Sequence, residues 1–448
     1  MTGLWLLQTA AERLAQAREG LDTPFPERLL GLVGIATMLG IAWVLSYDRK
    51  GIRWRMVGAG VALQLIFGFI VLKTGVGRAI FAGANAFVVK LLSFQEQGAR
   101  FVFGNLVQSE VPLGGGVQGV ALTGAYFAFN VLPTIIFFSS LMTVLYYLGV
   151  MQWIVKGIAW VMQKSLRTSG AETLSAAGNI FLGQTEAPLL IKPFVGRFTP
   201  SELNTVMVGG FATVAGGVMA AYVGMLQGYF PDIAGHLLTA SVMNAPAGLI
   251  LSKIILPEAG TPETLDTLHI SVEKTEANVI EAAASGAGTG LQLALNVGAM
   301  LMAFIGLVAM LNFGFTWFGG LIGVPDLSIQ WILGKVLWPL AVLMGVPPAD
   351  ADTVGAFIGI KATLNEFVAY SGFAQQLGSG LEISPKAVVM LTYCLLGFAN
   401  LSSIAIQIGG IGGLAPQRRA EIAKLGLRAM IAGNLAAFMS ASIAGMLV

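Results

Sequence analysis

Charge is scarce in this 448-residue chain: only 11% of residues are Asp, Glu, Lys or Arg, against about 25% in soluble domains. A soluble surface cannot be built from so little. Hydrophobic residues supply 56% instead, and the mean hydropathy is +0.78, so the chain reads as a polytopic membrane protein. A single cysteine, Cys394, excludes an intramolecular disulfide; lying in an apolar run, it is read as packing. The only two histidines, His236 and His269, are in or beside predicted connections and give no metal-ligand spacing. The net charge of +2, with the basic residues scattered, argues against a nucleic-acid partner. No Gly-x-x-x-x-Gly-Lys-Ser/Thr run is present, which argues against an ATP engine in this chain.

What is abundant is glycine: 58 residues, about 13%, nearly twice the ordinary share, as close helix packing and broken helices both require. The start carries a short apolar patch, Leu4 to Leu7, then mixed charges such as Glu12, Arg13, Arg18 and Glu19. It lacks the basic start and longer apolar core of a signal peptide and reads as an amphipathic leader on the membrane, broken by Pro24 and Pro26.

Apolar runs of about 20 residues predict eight crossings, near 29–47, 56–74, 121–149, 201–228, 232–256, 291–315, 387–411 and 426–447. Residues 75–110 read as amphipathic. Residues 170–198 and 329–376 are apolar but interrupted by Gly, Pro and polar groups, and are predicted to be re-entrant hairpins. Bases crowd the first connection (Arg49, Lys50, Arg53, Arg55) and the last (Arg418, Arg419, Lys424, Arg428), so both are placed in the cytoplasm. Alternation then puts Lys156, Lys164, Arg167, Lys192, Arg197, Lys253 and Lys274 inside and both termini outside. The first hairpin opens to the cytoplasm and the second to the exterior.

One order of parts occurs twice: a hairpin with a Glu, then a span with a small or polar interruption, then another span. The interruptions are Phe211 to Gly217 and Gly397 to Ser403. Opposed hairpins and broken helices in corresponding halves point to an inverted-repeat secondary transporter with a midplane site. The expected organisation is an all-α membrane fold with a leader over 1–28, scaffold and interfacial helices over 29–165, and a first transport half over 166–258. An interfacial helix and scaffold span follow over 259–328, and a second transport half over 329–448.

Each hairpin holds an ionisable group at membrane depth, which is costly unless paired, hydrated or occupied by a ligand. Gln184, Thr185 and Glu186 offer an amide, a hydroxyl and a strong acceptor, a set suited to a heterocycle edge. Asn365, Glu366, Asn400, Ser402 and Ser403 are able to hold several hydroxyls, and Phe398 can pack on a ring face. With no base beside these motifs, an uncharged, hydroxyl-bearing heterocycle fits better than a phosphate. Asn179 and Thr213, with carbonyls freed where the backbone unwinds, could hold Na⁺; equally, Glu186 or Glu366 could take a proton.

The run Gly359-Ile360-Lys361-Ala362-Thr363-Leu364-Asn365-Glu366-Phe367-Val368-Ala369-Tyr370 resembles the signature of the concentrative nucleoside transporters. The similarity extends through Gly183 to Pro188, Ser241 to Ala247 and Gly397 to Ser403, and in general pattern covers roughly residues 100 to 447. The resemblance implies a homotrimer whose scaffold supports a moving transport domain with two hairpins and two broken helices. It also implies that Gln184, Thr185 and Glu186 bind the nucleobase, that Glu366, Asn400 and Ser403 bind the ribose hydroxyls, and that Phe398 flanks the site. Asn179 and Thr213, with the carbonyls of Leu182 and Val214, match a Na⁺ site in which Thr213 replaces a customary serine. The family includes proton-coupled members.

Each of these residues also has a plainer reading. Either glutamate could hold a hairpin tip by hydrogen bonds, and Asn400, Ser402, Ser403, Asn179 or Thr213 could satisfy nearby backbone. Ser402, facing away from Ser403, reads as a bystander. Lys361 could snorkel outward or bias the charge of Glu366. Glu110, near Gly114 to Gly116, tops the amphipathic segment, and Asp350 and Asp352, after Pro347-Pro348, fall in the second hairpin's turn. An intramembrane hydrolase would use the two glutamates as an acid/base pair, but their contexts do not match. A channel would need a continuous polar stripe, whereas the polar groups cluster at two hairpins and two helix breaks.

Overall fold

The computed structural model describes residues 25–107, 110–112, 120–122, 127–265 and 276–448. The expected leader up to residue 24, Gly114 to Gly116, His269 and Lys274 lie outside the described residues.

Helices account for most of the described chain. They run α1 (Phe25–Val44), α2 (Trp54–Lys73), α3 (Gly75–Phe103), α4 (Phe127–Tyr147), α5 (Val150–Leu166) and α6 (Gly170–Gly178). A 3₁₀ turn (Ala187–Ile191) leads into the short α7 (Lys192–Val195), then α8 (Pro200–Ala212), α9 (Gly216–Leu226) and α10 (Ile233–Ile255). The second half holds α11 (Val279–Ile322), α12 (Ile329–Leu343), α13 (Ala351–Thr363), α14 (Glu366–Gly378), α15 (Pro385–Leu395), α16 (Leu401–Leu414) and α17 (Arg419–Leu447). Between α3 and α4, β1 (Glu110–Pro112) and β2 (Val120–Leu122) form an antiparallel ribbon with Val111 opposite Ala121; Glu110 begins it.

By length and composition six helical stretches among the described residues can cross a membrane, or seven if a bent pair is one span. Six of the eight predicted crossings map onto this set; the 29–47 run falls instead on a shorter apolar helix, Arg28–Val44, and two further differences stand out. The 387–411 run is broken into α15 and α16, each under 15 residues, because the chain leaves helical geometry at Leu396 to Asn400. The stretch Gly75–Val107 qualifies although its sequence reads as amphipathic; it is almost unburied, with Phe101 93% exposed. Two other helices change the local picture. α4 and α5 meet at a 79° bend where Gly149 adopts φ +83°, a conformation that favours glycine. α5 buries only the stripe Met151, Val155, Ala159, Met162 and Leu166, the period of a helix lying on a surface.

The core is formed where helices are buried all round. α8, α9, α10, α15 and the C-terminal two-thirds of α17 place nearly every residue inside, as uniformly apolar helices do when enclosed by others. The pair α4 and α11 is joined by small residues: a Cβ on Gly286 would lie 2.6 Å from Thr143 Oγ1, and one on Gly290 would lie 2.7 Å from Ile136 Cα. Such small residues allow backbones to approach where lipid supplies no hydrophobic drive between helices. α11 has 44 residues, about 66 Å at 1.5 Å per residue. Beyond Leu301 it is largely exposed and apolar, with Phe313 at 79% and Trp317 at 67%.

The first hairpin is α6, a turn through Glu186, and a return through the 3₁₀ segment; Gly178 lets the legs close, since a Cβ there would meet Leu190 Cδ1 at 2.6 Å. A buried knot ties its base. Lys253 Nζ lies 2.7 Å from Glu172 Oε2 and 3.1 Å from Glu258 Oε2, while Ser169 Oγ donates to Glu202 Oε1 at 2.6 Å. Ser169 with Glu172 and Thr199 with Glu202 are capping boxes that start α6 and α8.

The second hairpin is shorter than its prediction. Its legs are α13 and α14, its tip is Leu364 and Asn365, and α12 is a further helix packed along α13. Asp350 and Asp352 sit at the hairpin's base instead of its turn. Asp350 accepts from Ser384 Oγ at 2.5 Å at the start of α15, and Asp352 pairs with Lys335 at 2.6 Å on α12. The prolines at 347 and 348 end one helix and begin another, a signal that cannot distinguish base from tip.

Candidate functional site

The two helix interruptions cross one another. α8 stops at Ala212 and α9 starts at Gly216; α15 stops at Leu395 and α16 starts at Leu401. At the crossing Phe398 N–H donates to Thr213 O at 3.2 Å. Gly397 has φ +118°, and a Cβ there would lie 2.7 Å from Phe211 O and 2.9 Å from Ala212 O. Conformation and space both demand glycine at this point.

A break strands backbone carbonyls that an unbroken helix would pair, and away from water each must find a donor. Buried side chains supply them. Asn244 Nδ2 donates to Ala212 O at 2.7 Å, Asn434 Nδ2 to Ala399 O at 2.8 Å, and Ser241 Oγ to Ile180 O in the first hairpin at 2.9 Å. Lys361, fully buried, neither snorkels nor pairs with a carboxylate. Its Nζ donates to Cys394 O at 2.8 Å and Leu396 O at 3.2 Å, placing a cation at the C-terminal end of α15 where the helix dipole favours one.

Beside this crossing lie the sequence-predicted binding residues. Glu366 opens α14 behind Asn365, whose Oδ1 accepts from Val368 N–H at 2.9 Å as an N-cap. The Glu366 carboxylate is buried and accepts from Asn400 Nδ2 at 2.7 Å. Asn400 is itself the N-cap of α16, with Oδ1 accepting from Ser403 N–H at 2.9 Å and from Ser402 Oγ at 2.7 Å. Ser402 is therefore no bystander: its hydroxyl holds the Asn400 oxygen away from Glu366, so the amide hydrogens face the carboxylate. Ser403 Oγ accepts from Gln184 Nε2 at 3.2 Å, which joins the first hairpin to the second half.

Four predicted residues, Gln184, Ser403, Asn400 and Glu366, thus form one hydrogen-bonded chain across both halves. The other three are placed differently. Thr185 packs against Gly410, whose added Cβ would meet Thr185 Cγ2 at 2.7 Å. Glu186 is exposed at the hairpin tip, and its Oε2 accepts from Gly183 N–H at 3.0 Å; it is not hydrogen-bonded to Glu366. Phe398 is half-buried at the crossing itself. An aromatic wall closes the Glu366 side: Tyr222 stacks on Tyr370 with centroids 4.2 Å apart and meets Phe367 edge-on at 5.0 Å. The Tyr222 hydroxyl lies beside the Glu366 carboxylate.

The residues predicted for a coupling ion also converge. Asn179 ends α6 and is fully buried, with both Oδ1 and Nδ2 unpaired among the described residues. Its amide lies against α8, 3.1 Å from a Cβ built on Gly209, and Thr213 Oγ1 donates to the Gly209 carbonyl at 2.9 Å. Leu182 and Val214 are in irregular backbone on either side. An orphaned buried amide costs about 1–3 kcal/mol, and a cation at its oxygen would relieve that cost; a hydroxyl and carbonyls freed from helical pairing would be neutral oxygens of the kind Na⁺ takes in broken-helix transporters.

Sequence reasoning missed several residues that the structure brings here. Gln407 Nε2 donates to Gln184 Oε1 at 3.1 Å and to Met207 O at 3.0 Å. Its signal was a lone amide in an apolar helix, one turn after Ser403. Tyr222 and Asn434 carry no such local signal, since a Tyr or Asn in an apolar run reads equally well as packing. His236, expected in or beside a connection, is in the first turn of α10, next to the link that precedes it, and is buried among Phe81, Phe230 and Tyr393.

Comparison with known proteins shows what the chain is similar to. A family model described as Na⁺ dependent nucleoside transporter C-terminus matches residues 236–445, its N-terminal counterpart matches 33–106, and a nucleoside-recognition model matches 128–228. The chain is 43% identical over 423 residues to the nucleoside permease NupC of Helicobacter pylori, covering 94% of this chain and 98% of that one. It is 39% identical over 457 residues to sodium/nucleoside cotransporter 1 of Rattus norvegicus, covering 99% of this chain and 66% of that one. Among solved structures, an inward-facing, substrate-bound state of CNTnw matches with TM-score 0.84 at 43% identity, covering 94% of this chain and 97% of that one. A substituted CNTnw in an outward-facing state matches with TM-score 0.87 at 42% identity, covering 95% and 99%. With family models spanning most of its length and a relative 43% identical across 94% of it, this membrane protein belongs to the concentrative nucleoside transporters, which are carriers and not enzymes.

Proposed function

We propose that this chain couples inward Na⁺ movement to nucleoside uptake across the cytoplasmic membrane, alternating access from one side to the other. The observation that carries this reading is the hydrogen-bonded chain from Gln184 through Ser403 and Asn400 to Glu366 at the crossing of two broken helices. Gln184, Thr185 and Glu186 read the base; Glu366, Asn400 and Ser403 hold the ribose hydroxyls; Phe398 packs on the ring. Hydroxyls donating to a buried carboxylate form charge-assisted bonds, the stronger kind, while the neutral edge of a base suits an amide and a hydroxyl.

Na⁺ is taken by Asn179 and Thr213 with the carbonyls of Leu182 and Val214, a reading supported by the unpaired Asn179 amide and by the name of the rat relative. The transport domain comprises residues 166–258 and 329–448, and the scaffold 29–165 and 259–328. Three copies assemble through that scaffold, and both termini face out. In the competing reading a proton drives uptake, and a specific feature favours it: the Glu366 carboxylate is buried and its hydrogen-bond partner Asn400 is neutral. Uptake of labelled uridine and adenosine into proteoliposomes, with Na⁺ and proton gradients clamped separately, decides between them. Accumulation is expected with Na⁺ alone; accumulation that follows only the pH gradient would replace the ion and keep the substrate.

A further inference from the structure

Gln407 is fully buried in α16, and neither the ribose side nor the ion site uses it. Its Nε2 lies 3.0 Å from the Met207 carbonyl oxygen and 3.1 Å from Gln184 Oε1. A backbone carbonyl can only accept, so the Gln407 atom facing it must be the NH₂ group. The Gln184 atom that receives the same NH₂ group must then be oxygen. It follows that the Gln184 atom 3.2 Å from Ser403 Oγ is its own NH₂ group. The orientations of both amides are therefore anchored to one group of unambiguous chemistry, and the oxygen of Gln184 is already engaged.

Two further features support a positional role. Gln407 Oε1 is buried without a partner among the described residues, a condition that costs about 1–3 kcal/mol; an aliphatic side chain would avoid it, so the residue is not placed there for stability. Gly210 on α8 backs the pair: a Cβ there would lie 2.8 Å from Gln184 Cβ and 2.9 Å from Gln407 Nε2. The approach of the two amides depends on that glycine.

We propose that Gln407 is a positioning residue that locks Gln184 in one amide orientation, so that the base pocket donates a hydrogen bond and favours nucleobases bearing a carbonyl at that edge. The Gln184 NH₂ group gives one hydrogen to Ser403 and keeps one for the base. A Gln184 free to turn would offer either its oxygen or its NH₂ group and would accept carbonyl-bearing and amino-bearing edges alike. The inference rests on the placement of Gln184 in the nucleoside site.

The test compares reconstituted full-length protein with Gln407→Leu, measuring KM and Vmax for uridine and for two analogues that each carry an amino group in place of one of its base carbonyls. The intact protein is expected to discriminate about tenfold in KM against one analogue, the equivalent of about 1.4 kcal/mol. In Gln407→Leu that discrimination falls to within about twofold, while Vmax for uridine and the preference for uridine over its 2′,3′-dideoxy form persist; a merely structural defect would lower these as well. Gly210→Ala disturbs the same amide pair from another helix and gives the same readout if Gln407→Leu does not reach the membrane. Discrimination that survives in these variants, or is missing from the intact protein, overturns the proposal. Gln184→Ala separates the layers: loss of discrimination there with retention in Gln407→Leu sinks the role of Gln407 alone. Unchanged uptake of all three nucleosides in Gln184→Ala sinks the base-side reading and the proposal with it.

Discussion

Glu366 shows how one buried carboxylate is held in place. Its backbone sits in the first turn of α14, where the helix dipole favours an anion, and its carboxylate receives the Asn400 amide, itself turned by Ser402 and Ser403. Glu366→Gln keeps the shape and removes the charge. Replacing charge-assisted hydroxyl bonds should weaken uridine by about 2 kcal/mol, roughly 30-fold in KM. The 2′,3′-dideoxy analogue, which lacks those hydroxyls, should change little. Equal losses for both substrates would contradict the ribose assignment. At the proposed ion site Thr213→Val preserves volume and removes one oxygen; the Na⁺ concentration for half-maximal uptake should rise about tenfold with little change at saturating Na⁺. Identical Na⁺ curves for the two proteins would remove Thr213 from the site. Gln184, Glu366, Asn400 and Ser403 were legible in sequence because polar groups stand out in apolar chain. Tyr222 and Asn434 were not, since their roles arise from partners distant in sequence.

Breaks and hairpins are the elements that bring these residues together. Both interruptions were visible as small and polar runs, and both hairpins as apolar stretches too irregular to span. Their detailed shape was less visible. The tip of the second hairpin carries no proline or glycine, only Leu364 and the N-cap Asn365, while the stronger turn signal at Pro347-Pro348 marks its base. Local chemistry reports that a turn occurs, not which end of a hairpin it occupies. The crossing of the breaks offers a sharp test. Gly397→Ala places a Cβ within 3 Å of two carbonyl oxygens at a positive φ, and should cost on the order of 1–3 kcal/mol or more. A lowered melting temperature in detergent, together with loss of uptake, is expected; unchanged stability would show that the two breaks separate freely.

At the scale of the whole molecule, an enclosed bundle stands beside long helices that leave much of their apolar surface open. α3 and the C-terminal part of α11 are long, apolar and little buried. Apolar surface of that extent belongs against lipid or against other copies of the chain. Native mass spectrometry of the detergent-solubilised protein should give three times the 46.9 kDa chain mass; a monomer in mild detergent and in lipid nanodiscs would contradict the assembly.

Composition and patterning by themselves determined the membrane environment, the helical class, the two hairpins, the two breaks and the residues worth suspecting. These follow from local rules: apolar length, small residues and stranded polar groups each have a cost that can be read along the chain. Only the tertiary structure decided which polar groups meet. It set Lys361 on the carbonyls of a broken helix instead of a carboxylate, tied Gln184 to Ser403 across 219 positions, and left Glu186 and Glu366 without a hydrogen bond between them. Each of these depends on how distant helices cross, and a buried donor pairs with whichever acceptor that crossing brings within about 3 Å.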